Sequence, residues 1–243
     1  LNAPHNEIVS YINNLQTVQY VISDITKTVG SGGDFTNVQD AIDFFGTLVP
    51  NKNAVRGKIL LKSGFEWNEG VLIESKNLGW VDIESEDPTV IVDPNQAFNP
   101  PNQNDVRLFS LLGSKSTMPN LYLDLVAKPH SVNNYRVVGV FNKSSLEISR
   151  GRGSVGGGQV RNNNSSGSNN RSIEVSASFV YALETTFDSV LLNINASMMF
   201  RRGQADDVYI TGYSFIDLRE STILTANINI PTNTFTPYGV AFF

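Results

Sequence analysis

The sequence contains no cysteine. This excludes disulfides, thiolate nucleophiles and thiolate metal sites together, and leaves the redox compartment open. Histidine is scarce: His5 and His130 are the two in 243 residues, too far apart along the chain to suggest a metal centre. They read as ordinary surface or loop residues, and neither a metal nor a cofactor is expected. Positive charge is not in excess, with 18 Lys and Arg against 23 Asp and Glu and a formal net charge of −5. Nucleic acid is therefore not an expected partner, because binding it takes a clustered basic face that neutralises phosphates. No run of about 18 apolar residues exists to cross a bilayer, and no signal-peptide pattern opens the chain, so no membrane insertion is expected. What remains is a chain with 40% hydrophobic and 17% charged residues, enough for a sizeable core in one large all-β or α/β domain or two small ones. It begins at Leu1 and stops on the apolar run GVAFF, which reads as a fragment of a longer chain.

Residues 29–45, VGSGGDFTNVQDAIDFF, join a glycine cluster to an amphipathic stretch. A dinucleotide-binding fingerprint requires G-x-G-x-x-G, but Phe35 stands where the third glycine belongs. A P-loop requires Gly-Lys-Ser/Thr at the helix start, and here Gly33 is followed by Asp34, whose carboxylate repels a phosphate. Helix signals are clearer: Thr36 and Gln39 match a capping box, and Val38, Ala41, Ile42 and Phe45 recur at i, i+3, i+4 and i+7. Gly46 occupies the place of a left-handed C-cap and Pro50 follows, so the helix is expected to end near Phe45. Its apolar face is expected to be buried against strands near residues 58–62.

Beyond this helix the chain turns to short β-branched and apolar runs broken by Asn, Gly, Ser and Asp. They include KILLK, VLIES, WVDIES, TVIV, RLFSLL, LYLDLV, YRVVGVF, SLEIS, SIEVS, FVYALE, VLLNI, VYITG, SFIDL and TILTANINI. Such spacing fits a sandwich or a barrel. A recurring unit favours a stack of coils instead: an alternating run, a small polar turn and a second alternating run. Ser145 precedes Leu146, Ser189 precedes Val190 and Thr222 precedes Ile223 in the same sense. A solenoid of about 20 to 30 residues per coil buries each inner face on its neighbours and tolerates looped-out insertions. The expected fold is all-β, a right-handed parallel β-helix with an N-terminal capping helix, and a jelly-roll-like sandwich is the alternative. Residues 1–27 are expected as a helical or linker segment and 28–243 as one β-helix domain with its cap over 28–50. The Pro/Asn-rich stretch 93–105 and the Gly/Ser/Asn tract 150–171 are expected as loop insertions.

The succession VGSGGDFTNVQDAID, KILLKSGFEWNEGVLIES and WVDIESED resembles the opening of pectin-lyase-like β-helices. The likeness is greatest to those in tail fibres and tailspikes of tailed bacteriophages, including phages of capsulated Gram-negative bacteria such as Acinetobacter. Gly33, Asp34, Phe35, Val38, Gln39, Ala41 and Ile42 match the family's G-D-F/Y-x-x-[IV]-Q-x-A-I segment, and Gly64 and Phe65 its Gly-aromatic turn. The resemblance covers about residues 28–92 and implies the fold; function varies within the fold. It further implies a homotrimer in a virion tail, acting outside the cell at the bacterial surface with other tail proteins. The implied ligand is a bacterial surface polysaccharide.

Enzymes that share this opening would show more. The pectinesterase segments Q-D-T-L and D-F-I-F-G have no counterpart, and the polygalacturonase set survives only as the adjacent Asp206 and Asp207. No compact acidic cluster recommends a calcium-dependent lyase. A glycosidase could still assemble a carboxylate pair about 5 to 10 Å apart from distant segments. Glu184, Asp206 and Asp207 are the weak catalytic candidates, from a pool that includes Asp188, Asp217 and Glu220. The plain alternative for each is a solvated turn or outward strand position. Trp67, Tyr209 and Tyr213, with Tyr238, are the weak substrate-binding candidates, since a ring face stacks on a pyranose; the alternative is packing at coil edges or subunit contacts. Near the N-terminus Ile8, Ile12, Leu15 and Ile22 approach heptad spacing, so the segment reads equally as an oligomerisation stem or as a helix packed on its own domain. Two functions follow: polysaccharide recognition for host attachment, or depolymerisation of capsular polysaccharide or exopolysaccharide.

Overall fold

The computed structural model describes residues 19–51, 54–93, 109–111, 117–129, 135–141, 143–149, 159–162 and 171–229. The N-terminal part contains β1 (Gln19–Val21), β2 (Ile25–Val29), helix α1 (Val38–Gly46), β3 (Leu48–Pro50) and β4 (Gly57–Leu61). Next come β5 (Glu66–Trp67), β6 (Val71–Ile73), β7 (Val81–Ser85), β8 (Thr89–Val92) and β9 (Phe109–Leu111). The middle holds β10 (Asn120–Leu121), β11 (Asp124–Ala127), β12 (Arg136–Val140), β13 (Ser145–Ile148), β14 (Gln159–Arg161) and β15 (Arg171–Ser176). Then follow β16 (Phe179–Leu183), β17 (Thr186–Asn193), β18 (Ser197–Arg201), β19 (Gln204–Thr211), β20 (Phe215–Arg219) and β21 (Thr222–Asn229).

Strands form because apolar side chains alternate with polar ones, as in the GKILL of β4, whose Gly57, Ile59 and Leu61 are buried while Lys58 and Leu60 are partly exposed. The described strand pairs are all parallel. One eight-stranded sheet runs β2-β4-β7-β10-β13-β16-β18-β20. A second runs β5-β8-β11-β14-β17-β15-β12-β9-β6, with β19 and β21 continuing from β17. The chain thus returns to the same sheets coil after coil. Strand β17 is where two stacks fuse: Thr186 and Phe187 continue the row of β14, whereas Val190–Asn193 pair with β15.

From β16 onward the coil is shorter than the sequence reading expects. Phe179 pairs with Ser197 and Ser197 with Phe215, a step of 18 residues each time. One corner recurs at this period in a left-handed conformation, at Glu184 (φ 51), Arg202 (φ 49) and Glu220 (φ 54). Such angles are uncommon for residues other than glycine. Coil stacking sustains them: the Glu184 N–H donates to the Arg201 carbonyl, and the Arg202 N–H to the Arg219 carbonyl, both at 2.8 Å. The interior is filled by inward rows such as Ile59, Ile83, Leu121, Ile148, Ala182 and Phe200, all buried. Each fully buried large aliphatic or Phe side chain contributes about 1.5–3 kcal/mol relative to exposure.

Helix α1 buries Val38, Ala41, Ile42 and Phe45, as its periodicity predicts. Phe45 lies over β4, where a Cβ on Gly57 would come within 2.7 Å of its ring, and meets Trp80 edge-on at 5.6 Å. Both helix ends differ from expectation. The N-cap is Asn37, not Thr36, and its side chain accepts from the Asp40 N–H at 2.8 Å. Gly46 is still helical, and Thr47 caps the end in a right-handed conformation. A Cβ at position 46 would lie 2.8 Å from the end of the Lys76 side chain, which would have to shift to admit it. Before the helix, Gly30 (φ 123) and Gly32 (φ 68) turn the chain back so that Asp34 accepts from the Thr28 N–H at 2.8 Å and from Lys27 Nζ at 2.9 Å. The glycine cluster is a turn that closes on β2.

Other segments also depart from expectation. Of the segment 1–27, expected as helical or linker, the described residues 19–27 are not helical; they hold β1 and the start of β2, and Ile22 is 74% exposed. The tract 150–171 is not wholly a loop: β14 pairs with β11 and β17, and Val160 is buried. LYLDLV divides into β10 and β11, and β18 forms where no strand is expected. Ile8, Ile12 and Leu15 of the stem, residues 94–105 of the first insertion, His5, His130 and Tyr238 lie outside the described residues.

Candidate functional site

The carboxylates singled out in the sequence fall on two parts of the surface. Asp188 and Asp206 stand in adjacent coils of the second sheet, as the pairing of Phe187 with Ala205 and Ser189 with Asp207 requires. Arg161 joins them, bonding Asp188 through Nη1 and reaching Asp206 Oδ2 at 3.3 Å. The Asn162 N–H donates to the other oxygen of Asp188 at 2.6 Å. A guanidinium therefore occupies the space in which a scissile glycosidic oxygen would have to sit. Asp207 is half-buried on the same strand. Glu184 stands apart at the left-handed corner and pairs with Arg202 at 3.2 Å. Asp217 pairs with Arg219 at 3.1 Å.

The aromatic candidates also separate. Trp67 is fully buried, edge-on to Phe65 at 6.5 Å, and presents no ring to a ligand; in the two-residue β5 the alternation leaves Glu66 exposed and turns Trp67 inward. Tyr209 has its ring covered by the Arg171 guanidinium at 4.0 Å. Tyr213 is 70% exposed at a corner between β19 and β20. These residues do not form one site.

The outer face of the eight-stranded sheet is different. The pairings Lys58 with Asp82, Asp82 with Asn120, Glu147 with Tyr181, and Tyr181 with Met199 place successive residues of one outward row side by side. Asn120 adjoins Glu147 because the next residue, Leu121, pairs with Ile148. Two residues earlier in the strands, Ser145 pairs with Phe179, whose ring is 41% exposed. Together they border a shallow groove of about 260 Å³ with Asn120, Glu147, Phe179 and Tyr181 in its walls and floor.

The groove has a structured polar base. Asn120 Nδ2 donates to Asp82 Oδ1 at 2.6 Å, and both side chains are buried. Tyr122 Oη donates to Glu147 Oε1 at 3.0 Å, fixing that carboxylate from the neighbouring row. Tyr122 also borders a second hollow with Asp87 and Asp124, so the face continues past the groove. Glu147, Tyr181, Phe179, Asn120 and Tyr122 were absent from the sequence candidates. Their shared outward parity was visible in each strand. Their alignment was not, because insertions of unequal length separate the coils. This surface offers ring faces for stacking, one oriented carboxylate as an acceptor and an apolar edge, with no deep enclosure.

Comparison with protein-family models, curated proteins and solved structures finds no match to the chain.

Proposed function

We propose that this chain is a right-handed parallel β-helix of the pectin-lyase-like kind, a component of a phage tail fibre or tailspike. Its role is attachment to bacterial surface polysaccharide, outside the cell, as a homotrimer with other tail proteins. The architectural part is supported by the resemblance of residues 28–92, whose matched positions have structural work to do. Asp34 closes the turn on Thr28, and Gln39 bonds the backbone of Leu72.

The observation that carries polysaccharide recognition is the groove in which Glu147 and Tyr181 stand in register beside the exposed ring of Phe179. Aromatic faces pack on the apolar faces of sugar rings while carboxylate and amide groups bond their hydroxyls, and a row across parallel coils suits an extended chain. Binding is favoured over cleavage on geometry. Glycoside hydrolysis needs two carboxyl groups flanking the bond. In the groove Asp82 is buried under Asn120, which leaves Glu147 alone, and the Asp188 and Asp206 pair is filled by Arg161.

The test compares capsulated cells with isogenic cells lacking capsule. Sedimentation of the protein with the capsulated cells alone, with no new reducing ends or unsaturated sugars released, is the expected result. Equal sedimentation with both kinds of cell sinks polysaccharide recognition, and release of fragments moves the reading to a depolymerase.

A further inference from the structure

The groove on the eight-stranded sheet holds a carboxylate without a countercharge. Elsewhere on the surface outward carboxylates meet a cation: Glu84 is bonded to Lys58 at 2.8 Å, Asp217 to Arg219 at 3.1 Å, and Asp188 to Arg161. Glu147 does not. Among the described residues its side chain has one polar contact, the Tyr122 hydroxyl on Oε1 at 3.0 Å, which leaves Oε2 for a ligand.

The lining does nothing to offset this charge. No lysine, arginine or histidine stands among the described residues that border the groove. The Asn120 amide nitrogen is already spent inward, on Asp82 Oδ1 at 2.6 Å and the Gly79 carbonyl at 3.4 Å. What remains for a ligand is the half-buried Glu147 carboxylate and the rings of Tyr181 and Phe179. A partly desolvated carboxylate is costly until a cation meets it. An ammonium group has three donors and no acceptor, and it is also drawn to the face of an aromatic ring.

We infer that this groove selects an amino sugar, its protonated amine between Glu147 Oε2 and the Tyr181 ring and its apolar ring face on Phe179. This inference rests on the polysaccharide reading and narrows it to a glycan with free, unacetylated amines. Position supports one ligand across both rings. Glu147 and Tyr181 are directly paired on neighbouring strands, about 5 Å apart at Cβ, and Phe179 lies two residues back from Tyr181, about 7 Å by strand rise, on the same outward face. An N-acetyl group would bring a neutral amide whose carbonyl faces a second acceptor, and a uronate would bring a second carboxylate; neither offsets the charge of Glu147. A lysine side chain would bring the cation, but its slender stem leaves the Phe179 ring bare.

The test follows the ring resonances of Phe179 and Tyr181 in the full chain at about pH 6, where an amine is protonated and an exposed carboxylate ionised. The chain is titrated with glucosamine, with N-acetylglucosamine and with Nα-acetyl-lysine amide. Glucosamine is expected to shift both signals, N-acetylglucosamine at equal concentration neither, and the lysine amide Tyr181 alone. Glu147→Gln keeps the shape of the side chain and its acceptor for Tyr122, and is expected to lower glucosamine affinity about tenfold, the loss of one charge-assisted contact. Because it removes a charge that has no partner, it is expected to melt at or above the wild-type temperature, so a lost response is not a lost fold. No shift with glucosamine, an equal shift with N-acetylglucosamine, or unchanged affinity in Glu147→Gln overturns the inference. A lysine-amide response matching that of glucosamine at both rings also overturns it, since the groove would then read the cation without the sugar. Failure to bind capsulated cells while glucosamine still shifts both rings counts against the attachment reading alone. Capsule binding that depends on Tyr181 without any glucosamine response counts against the amino-sugar assignment alone.

Discussion

The side-chain amide of Gln39 is paired with the backbone of Leu72, accepting from its N–H at 2.8 Å and donating to its carbonyl at 3.2 Å. The contact imitates a strand. Leu72 belongs to β6, the terminal strand of the second sheet, and such an edge left bare is a template for pairing with other chains. Gln39→Met keeps the length and apolar volume but strands both backbone groups. It is expected to cost about 1–3 kcal/mol in urea unfolding and to increase aggregation. An unchanged midpoint would show that water replaces the amide at no cost.

Two carboxylates around the helix respond to pH in opposite senses. Asp34 is held down to about 2 by the Thr28 backbone N–H first and then by Lys27. Its contribution is therefore full above the ordinary value near 3.8 and is lost as the pH falls toward 2. Glu69 accepts from the helix N–H groups of Val38 and Gln39. Burial nevertheless pushes its carboxyl above the ordinary range, so its contribution is largest below the unfolded value and declines as the pH rises through the folded one. Carbon-detected NMR titration is expected to give an Asp34 midpoint about 2 and a Glu69 midpoint above that of an exposed glutamate. In the Asp34→Asn variant, the stability deficit relative to wild type is expected to shrink between pH 4 and 2.

Arg161 is expected to be structural, because it separates two carboxylates on adjacent coils. Arg161→Leu leaves Asp188 and Asp206 facing each other without their cation and is expected to destabilise by roughly 1–3 kcal/mol, between the values for exposed and buried pairs. Adding Asp206→Asn is expected to recover part of that loss in the same denaturant assay. If the double variant is no better than the single one, repulsion between the carboxylates is not what Arg161 relieves.

The C-terminal period predicts that a whole coil can be removed. Deleting residues 197–214 joins Ala196 to Phe215, which the register places at the same position one coil on. Nearest-neighbour stacking makes each coil a semi-independent unit. The shortened chain is expected to keep a β-type circular dichroism spectrum and a cooperative melt. Deleting 9 residues instead would exchange the two sheets and is expected to abolish folding.

The buried face of α1 was legible because Val38, Ala41, Ile42 and Phe45 follow a helical period, and most strands were legible from alternation. The helix start was not, since Thr36 and Asn37 are both good caps and the deciding partner, Glu69, lies thirty residues away. Trp67 was misread because Glu66, Asn68 and Glu69 surround it with polarity, although strand parity sends it inward. Strand β14 escaped notice because one inward residue, Val160, suffices to join a coil within a polar tract. The groove was least visible. Glu147 and Tyr181 meet only after the tract 150–170 is accommodated between their coils, and sequence carries no measure of that register. An 18-residue recurrence of apolar residues, at Val180, Met198 and Ile216, was present in the sequence and is a signal that would have aligned the later coils.

The most direct measurement is the affinity of the purified protein for isolated capsular polysaccharide, taken for wild type, Tyr181→Ala and Asp206→Asn by calorimetry. The expected result is heat of binding for wild type, a loss of about tenfold or more for Tyr181→Ala, and no change for Asp206→Asn, whose carboxylate lies on the other sheet. Stacking of a ring on a ligand ring contributes about 0.5–1.5 kcal/mol beyond the area it buries, enough together with that area to make the Tyr181 effect readable. Equal affinity for wild type and Tyr181→Ala, or a loss confined to Asp206→Asn, would contradict recognition through the outer face of the eight-stranded sheet.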